Sequence, residues 1–151
     1  MNAIYFYRLA HFFHKHKVPL LPNLLKAVIF LLFNSVVPPS ALIGKESRFA
    51  YGGIGVVLHG KSLIGRRVII GQGVTVGRKL DPMGVPVIGN DVYISTGAKL
   101  LGAITVGNNV IIGANAVVLH DIPDNSIVAG APARVVRVVE GSIYDYLKDI
   151  Y

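Results

Sequence analysis

The chain contains no cysteine, and only 15% of its 151 residues are charged. Without cysteine it can form no disulfide and no thiolate metal site, and it has no cysteine nucleophile. The net charge is +7, which permits a phosphate-bearing or membrane partner. No block of five like charges occurs, however, and we therefore expect no binding to nucleic acid. The N-terminus shows no secretory signal pattern, and we expect the protein in the cytoplasm.

Apolar residues recur at every sixth position through most of the chain. The repeating positions are Ile64, Ile70, Val76, Ile88, Ile94, Leu100, Val106, Ile112 and Val118. A second apolar residue follows each by four: Val68, Val74, Leu80, Val92, Ala98, Ile104, Val110, Ala116 and Ile122. A helix repeats its apolar face at 3.6 residues and a strand at 2, so a period of six fits neither. It is typical of the hexapeptide repeats of a parallel β-helix; an aliphatic-rich β-sandwich is the alternative.

Helices are predicted on both sides of this all-β body. Residues 1–37 are predicted as a helical hairpin, with helices over Asn2–Lys17 and about Leu24–Phe33. Residues 38–141 are predicted as the β-helix catalytic domain, which ends in a strand over 135–139. Residues 142–151 are predicted as a short helix that covers the open end of the core, with Ile143, Leu147 and Ile150 on one face. Ser142 and Asp145 form a capping-box pattern at its start.

The hairpin has two open interpretations. Its apolar run of about ten residues is too short to span a membrane, which takes about 20. The hairpin could pack on the solenoid, or it could lie in a membrane interface at the inner face. In the second case Arg8, Lys15, Lys17 and Lys26 are expected to face anionic lipid. The histidines at positions 11, 14 and 16 are expected to be surface residues rather than metal ligands.

The repeat is interrupted once, between Gly77 and Val87. The insert over residues 78–86 contains two prolines, a glycine and three charges, and is predicted to loop out of the wall. Because solenoid walls are otherwise regular, an excursion of this kind is where a site is expected.

Six segments together resemble the hexapeptide-repeat acyltransferases, in the serine acetyltransferase-like branch. They are 57–60 (VLHG), 72–77 (QGVTVG), 87–92 (VIGNDV), 97–102 (GAKLLG), 112–118 (IGANAVV) and 130–134 (GAPAR). The resemblance covers residues 36–139 and is greatest to short members found with polysaccharide biosynthesis. It implies a left-handed parallel β-helix and a homotrimer with acetyl-CoA in the groove between subunits. It also implies direct acetyl transfer to a hydroxyl. The run of residues 117–119 (Val-Val-Leu) suggests an apolar outer wall for the trimer.

The resemblance also implies roles for particular residues. His59 matches the general base, which a hydroxyl needs because it is a poor nucleophile until its proton leaves. The residues that match the acetyl-CoA site are Gly77, Arg78, Thr96, Ala114 and Arg134. No metal site is expected. A β-helix carbonic anhydrase would need three histidines on adjacent coils, and the body has only His59 and His120.

Departures from the family pattern bear on the acceptor. Serine acetyltransferases place an aspartate before the histidine, an Arg-His pair ahead of the proline, and an aspartate before the first coil. Here those positions are Leu58, Gly84 with Val85, and Val36. We therefore expect a small-molecule or lipid-linked sugar acceptor, in an acetyl-CoA-dependent O-acetyltransferase of polysaccharide synthesis. The alternative is a serine O-acetyltransferase of cysteine biosynthesis.

Overall fold

The computed structural model describes residues 1–80 and 83–148. The helices are α1 (Ala3–Lys15), α2 (Leu21–Phe33) and α3 (Ile143–Leu147), with a short 3₁₀ segment at Ala50–Gly53. The strands before the insert are β1 (Leu42–Ile43), β2 (Arg48–Phe49), β3 (Val57–Leu58), β4 (Leu63–Ile64), β5 (Ile69–Ile70) and β6 (Thr75–Gly77). Those after it are β7 (Val87–Ile88), β8 (Val92–Ile94), β9 (Lys99–Leu101), β10 (Thr105–Val106), β11 (Val110–Ile112), β12 (Val117–Val118), β13 (Ser126–Gly130) and β14 (Ala133–Val138).

The strands form three sheets, and each turn of the chain adds one strand to each sheet. Sheet I contains β1, β4, β7 and β10, and sheet III contains β3, β6, β9 and β12. Sheet II contains β2, β5, β8, β11 and β13, and ends in β14, which runs antiparallel to β13. All other strand pairs are parallel. This topology is the predicted parallel β-helix of stacked three-sided coils.

The core follows the hexapeptide pattern with one exception. All nine repeating aliphatic residues are buried, and so are eight of the nine that follow them by four. The exception is Leu80, which is 95% exposed, so its predicted place in the core is wrong. The chain leaves the wall directly after Gly77, at the end of β6, and Leu80 therefore belongs to the insert.

Glycines stack at the corner between sheets I and II because the coils approach each other closely there. A Cβ atom added to Gly65 would lie 2.3 Å from the carbonyl oxygen of Gly89. Beside them, the Asn90 side chain accepts a hydrogen bond from Arg66 N–H at 2.8 Å. The Asn108 side chain accepts a hydrogen bond from Asn90 N–H, also at 2.8 Å. These contacts hold successive coils at a fixed spacing.

Helix α1 packs on the N-terminal end of the solenoid and shares its hydrophobic core. The Tyr7 hydroxyl donates to the carbonyl of Ala41 at 2.6 Å and accepts from Ile43 N–H at 3.2 Å. The Arg8 guanidinium donates to the carbonyls of Ile43 and Gly44. These backbone groups belong to the first coil, which has no coil before it to pair with. The expectation that Arg8 faces lipid is therefore wrong.

Helix α2 begins at Leu21, three residues earlier than predicted. Pro22 lies in its first turn, where backbone N–H groups have no intrahelical partner and proline is tolerated. At 13 residues it is about 20 Å long. No helix in residues 1–80 and 83–148 is long and apolar enough to cross a membrane.

Helix α3 has the predicted capping box, but it packs on the outer face of sheet II. The Tyr144 hydroxyl donates to the carbonyl of Arg67 at 3.0 Å and to the carboxylate of Asp91 at 3.1 Å. The backbone N–H of Ile143 donates to Asn109 Oδ1 at 2.9 Å. The expectation that this helix covers the open end of the core is therefore wrong. Ile150 lies outside the described residues, and β14 begins two residues earlier than the predicted strand.

Candidate active site

A cavity of about 540 Å³ lies at the corner between sheets III and I, where the insert leaves the wall. Its lining residues are His59, Lys61, Arg78, Met83, Gly84 and Val85. His59 follows β3, and Arg78 follows β6 on the next coil. The backbone N–H of His59 donates to the carbonyl of Val76 at 2.8 Å, which fixes the two coils relative to each other. The predicted base and the predicted loop thus meet at one site, although Asp81 and Pro82 of that loop lie outside the described residues.

The His59 ring has a defined hydrogen bond. Its Nδ1 accepts from the backbone N–H of Lys61 at 3.2 Å. In this arrangement a neutral ring carries its proton on Nε2, because Nδ1 is the acceptor. Removal of a proton by Nε2 requires the other tautomer, and this bond must then break. A neutral hydrogen bond contributes only about 1 kcal/mol net, so the rearrangement costs little.

The cavity carries positive charge. Lys61 and Arg78 are both exposed at its rim, and no carboxylate lies among the described lining residues. Lys61 is not among the site residues predicted from the sequence. The only indication of its role there is its position just after the turn that follows His59. The two cations favour a ligand with an anionic group. Among the described residues, no group of three or more His, Cys, Asp or Glu side chains could hold a metal ion.

Only one of the three departures from the serine acetyltransferase pattern lines this cavity. Leu58 is 2% exposed and points into the core, so its side chain cannot reach an acceptor. Val36 lines a separate cavity of about 460 Å³ between α2 and the first coil. Gly84 and Val85 do line the cavity that contains His59.

The residues predicted to bind acetyl-CoA fall into two groups within one chain. Gly77 and Arg78 lie at the corner that carries His59. Thr96 and Ala114 lie on successive coils at the corner between sheets II and III, where the backbone N–H of Asn115 donates to the carbonyl of Thr96 at 2.9 Å. Arg134 lies near them, at the start of β14. The Thr96 hydroxyl donates to the carbonyl of Gln72, and β6 (Thr75–Gly77) separates Gln72 from Arg78.

The sequence and the fold both match known proteins. The bacterial transferase hexapeptide family (six repeats) matches residues 86–120. A serine acetyltransferase of Bacillus subtilis (strain 168) is 43% identical over 138 residues, covering 90% of this chain and 63% of the relative. A serine acetyltransferase of Helicobacter pylori (strain J99) is 40% identical over 138 residues, covering 90% of this chain and 80% of the relative. The chain thus spans less than two thirds of the Bacillus relative.

A similar solved structure is the serine acetyltransferase of Brucella abortus strain S19 in complex with coenzyme A. It superposes with a TM-score of 0.86 at 32% identity, covering 93% of this chain and 56% of that one. This similarity confirms the left-handed parallel β-helix with N-terminal helices and a short C-terminal helix.

The interpretation of the acceptor as a sugar hydroxyl, in polysaccharide synthesis, is wrong. Relatives that are 38–43% identical over about 90% of the chain are serine acetyltransferases. The sugar interpretation depended on the loss of charged groups at three places in the family pattern. The side chains at two of those places do not line the cavity, and Lys61, which was not predicted, adds positive charge there beside Arg78.

The sequence matches to serine acetyltransferases, the shared fold and the resemblance in the repeat motifs lead to one assignment. The chain belongs to the serine acetyltransferase family of hexapeptide-repeat transferases.

Proposed function

We propose that the chain is an acetyl-CoA-dependent O-acetyltransferase and that its acceptor is the hydroxyl of L-serine. The observation that carries the proposal is the similarity to serine acetyltransferases over 90% of the chain. The proposal of acetyl-CoA is supported by the Brucella abortus relative, which was solved in complex with coenzyme A. The cavity at His59 supplies a site for the chemistry, because a nitrogen base lies beside two cations and a loop.

His59 is the proposed general base. Once its hydrogen bond from Lys61 breaks and the ring proton moves from Nε2 to Nδ1, Nε2 can take the hydroxyl proton of serine. The serine oxygen then attacks the carbonyl carbon of the acetyl group, a C–O bond forms, and the C–S bond of acetyl-CoA breaks. The proton on His59 passes to the departing sulfur, so the products are O-acetylserine and coenzyme A. No covalent enzyme intermediate is required.

Lys61 is the proposed partner of the serine carboxylate, whereas Arg78 beside it is kept as a coenzyme residue. Lys61 is an exposed cation at the rim of the cavity, and a charged N–H donor forms a strong hydrogen bond to a carboxylate. No carboxylate among the described lining residues is available for the serine ammonium group. We therefore expect the acceptor to be selected by its carboxylate more than by its amino group.

A homotrimer is proposed because one chain does not gather the coenzyme residues. Gly77 and Arg78 lie at a different corner from Thr96, Ala114 and Arg134, and two neighbouring chains can bring the two groups to one groove. Sheet I supplies an apolar outer surface, since Leu42, Leu63 and Val87 stack in register and are 51%, 42% and 41% exposed. The apolar outer wall predicted at residues 117–119 supports the trimer less well, because Val118 is fully buried in the core of its own chain.

The test is acetyl transfer with purified protein, acetyl-CoA and a panel of three acceptors. Free thiol and acetylated product are measured for L-serine, for 3-hydroxypropionate, which lacks the amino group, and for ethanolamine, which lacks the carboxylate. We expect L-serine to be the best acceptor, 3-hydroxypropionate to retain part of the activity and ethanolamine to lose most of it. Thiol release with L-serine no faster than without an acceptor would contradict the proposed function. Equal rates with ethanolamine and L-serine would contradict the role of Lys61 in binding the serine carboxylate.

Sedimentation of the same sample tests the trimer. We expect three chains per particle at micromolar concentration. A monomer that is fully active would show that a single chain forms the complete site, and the trimer proposal would then be wrong.

A further inference from the structure

We propose that the tip of the N-terminal hairpin docks on the surface of an anionic lipid membrane. The hairpin tip is defined here as residues 12–24, which comprise the end of α1, the turn and the start of α2. The composition of the hairpin by itself permits a membrane contact. The structure supplies an exposed surface and its charges, and the inference does not depend on the proposed catalytic function.

The hairpin tip presents large apolar side chains to solvent. Phe12, Leu20 and Leu24 are 54%, 83% and 60% exposed. Along the two helices, Leu9 and Leu31 are also 47% and 79% exposed. Large apolar side chains exposed close together in one segment favour a binding surface over scattered exposure.

Leu20 occupies a backbone position that local conformational preferences disfavour for leucine. It occupies the N-cap position of α2 with φ of 65° and makes no side-chain capping bond. Serine, asparagine and aspartate are preferred at an N-cap, and a branched side chain at positive φ is strained. At 83% exposure the leucine gains almost nothing from packing within the chain. An apolar side chain retained there against local preference indicates a contact outside the chain.

The charge of this region has one sign. Residues 1–45 contain no aspartate and no glutamate, and the first acidic residue is Glu46. Lys15 and Lys17 are exposed at the hairpin tip beside the exposed imidazoles of His14 and His16. Apolar side chains flanked by lysines, with no acid nearby, are complementary to an anionic lipid interface.

A second copy of the chain is a poorer occupant for the same surface. If two tips met, Lys15 and Lys17 of each would approach their counterparts, and no acidic residue in 1–45 could pair with them. The docked face of α1 cannot rotate outward to relieve this, because Tyr7 and Arg8 hold it on the first coil. The tip therefore has a fixed orientation, with its exposed face directed away from the β-helix core.

The experiment is flotation of the full 151-residue chain with vesicles. Vesicles of phosphatidylcholine with about one third phosphatidylserine are compared with pure phosphatidylcholine at low and high salt. The double variant Lys15→Gln/Lys17→Gln is compared with Lys45→Gln/Arg66→Gln. Both remove two positive charges, but the second pair lies at a coil corner. Leu20→Asn tests the apolar part, and Val136→Thr on β14 is its matched control.

We expect the wild-type chain to float with anionic vesicles at low salt and to be released as salt rises. Each basic group near such a surface contributes about fivefold in affinity, so Lys15→Gln/Lys17→Gln should bind about 30-fold more weakly. Leu20→Asn should also weaken binding, whereas both control variants should bind as the wild type does. Circular dichroism and acetyl transfer in solution should be unchanged in all four variants.

Two results would overturn the inference. The first is absence of flotation with anionic vesicles at low salt. The second is equal loss of binding in the tip variant and in its charge-matched control, which would indicate a general effect of net charge. A fall in particle mass for Leu20→Asn, measured by light scattering, would instead identify the surface as a contact between chains and would equally refute the lipid assignment.

Discussion

Gly65→Ala is expected to destabilise the β-helix severely, although it adds one methyl group. The added Cβ would lie 2.3 Å from the carbonyl oxygen of Gly89 and 2.7 Å from Asn90 Oδ1. Both distances are below 3.0 Å, which real Cβ contacts essentially never reach, and the Gly89 atom belongs to rigid backbone. The methyl group can be accommodated only if two coils move apart by about 1 Å.

The cost follows from what holds these coils together. The backbone N–H of Gly65 donates to the carbonyl of Ile88 at 2.9 Å, and Arg66 N–H donates to Asn90 Oδ1 at 2.8 Å. Lengthening two such bonds loses about 1 kcal/mol each. Overpacking adds about 1–3 kcal/mol. The total of about 3–5 kcal/mol would lower the melting temperature by about 6–20 °C.

Gly77→Ala is the matched control. It makes the same substitution at the same place in the repeat, directly after a core aliphatic residue. There the nearest atoms to an added Cβ are side-chain carbons at 3.7 and 3.8 Å, which is ordinary contact. Thermal unfolding of both variants is the assay. A melting temperature for Gly65→Ala within about 2 °C of wild type would refute the argument that close coil approach requires glycine there.

Three further predictions concern charged groups. The guanidinium of Arg67 donates to Asp91 and holds the pKa of that carboxyl below its usual value. The ion pair therefore contributes to folding stability above about pH 4, and this contribution is lost as the pH falls below that value. Asp91→Asn should therefore lower the free energy of unfolding by about 0.5–1 kcal/mol at neutral pH, a modest loss because the pair is partly exposed. Urea unfolding at several pH values should also show that the stability of the variant falls less steeply at acid pH than that of the wild type. Unchanged stability and an unchanged pH dependence would contradict this. Arg8→Met should lower stability by about 2–3 kcal/mol in the same assay, because two carbonyls of the first coil lose a charged donor, and a loss under about 0.5 kcal/mol would be inconsistent with that role. Lys61→Ala should raise the KM for L-serine about tenfold with little change in kcat, and an effect on kcat alone would exclude a role in carboxylate binding.

The sequence predicts the β-helix because its period is long and regular. Eighteen positions define the pattern, and only Leu80 departs from it. Leu80 lies within the insert predicted over residues 78–86, and an apolar residue in a loop can match the period by coincidence. The capping box of α3 is equally local, and it is present as predicted.

The sequence predicts where the helices pack on the β-helix less well than it predicts the β-helix itself. Helix α1 has apolar residues on several faces, and periodicity does not reveal which of them packs on the first coil. The contacts of Tyr7 and Arg8 depend on unpaired carbonyls more than 30 residues away in sequence. For α3, the decisive contacts are those of Tyr144 with Arg67 and Asp91, which likewise join distant segments.

The acceptor was misjudged for a related reason. Substitution of a charged group matters only where the side chain faces the site. Leu58 lies six residues before Ile64, in phase with the buried repeat, and its side chain points into the core as that period indicates. The sequence does not show that Lys61, beyond a turn, returns to the rim of the cavity, and this requires the geometry of the corner between sheets III and I.

Removal of the His59 imidazole is the most direct test of the proposed chemistry. Steady-state acetyl transfer to L-serine should be measured for His59→Asn, with coenzyme A affinity determined by calorimetry on the same sample. His120→Asn is the control, since His120 is an exposed histidine at the same corner but outside the cavity. We predict that His59→Asn lowers kcat by about 10²- to 10⁴-fold with coenzyme A binding unchanged, while His120→Asn behaves as wild type. A folded His59→Asn variant that retains more than about a third of wild-type kcat would show that another group removes the proton.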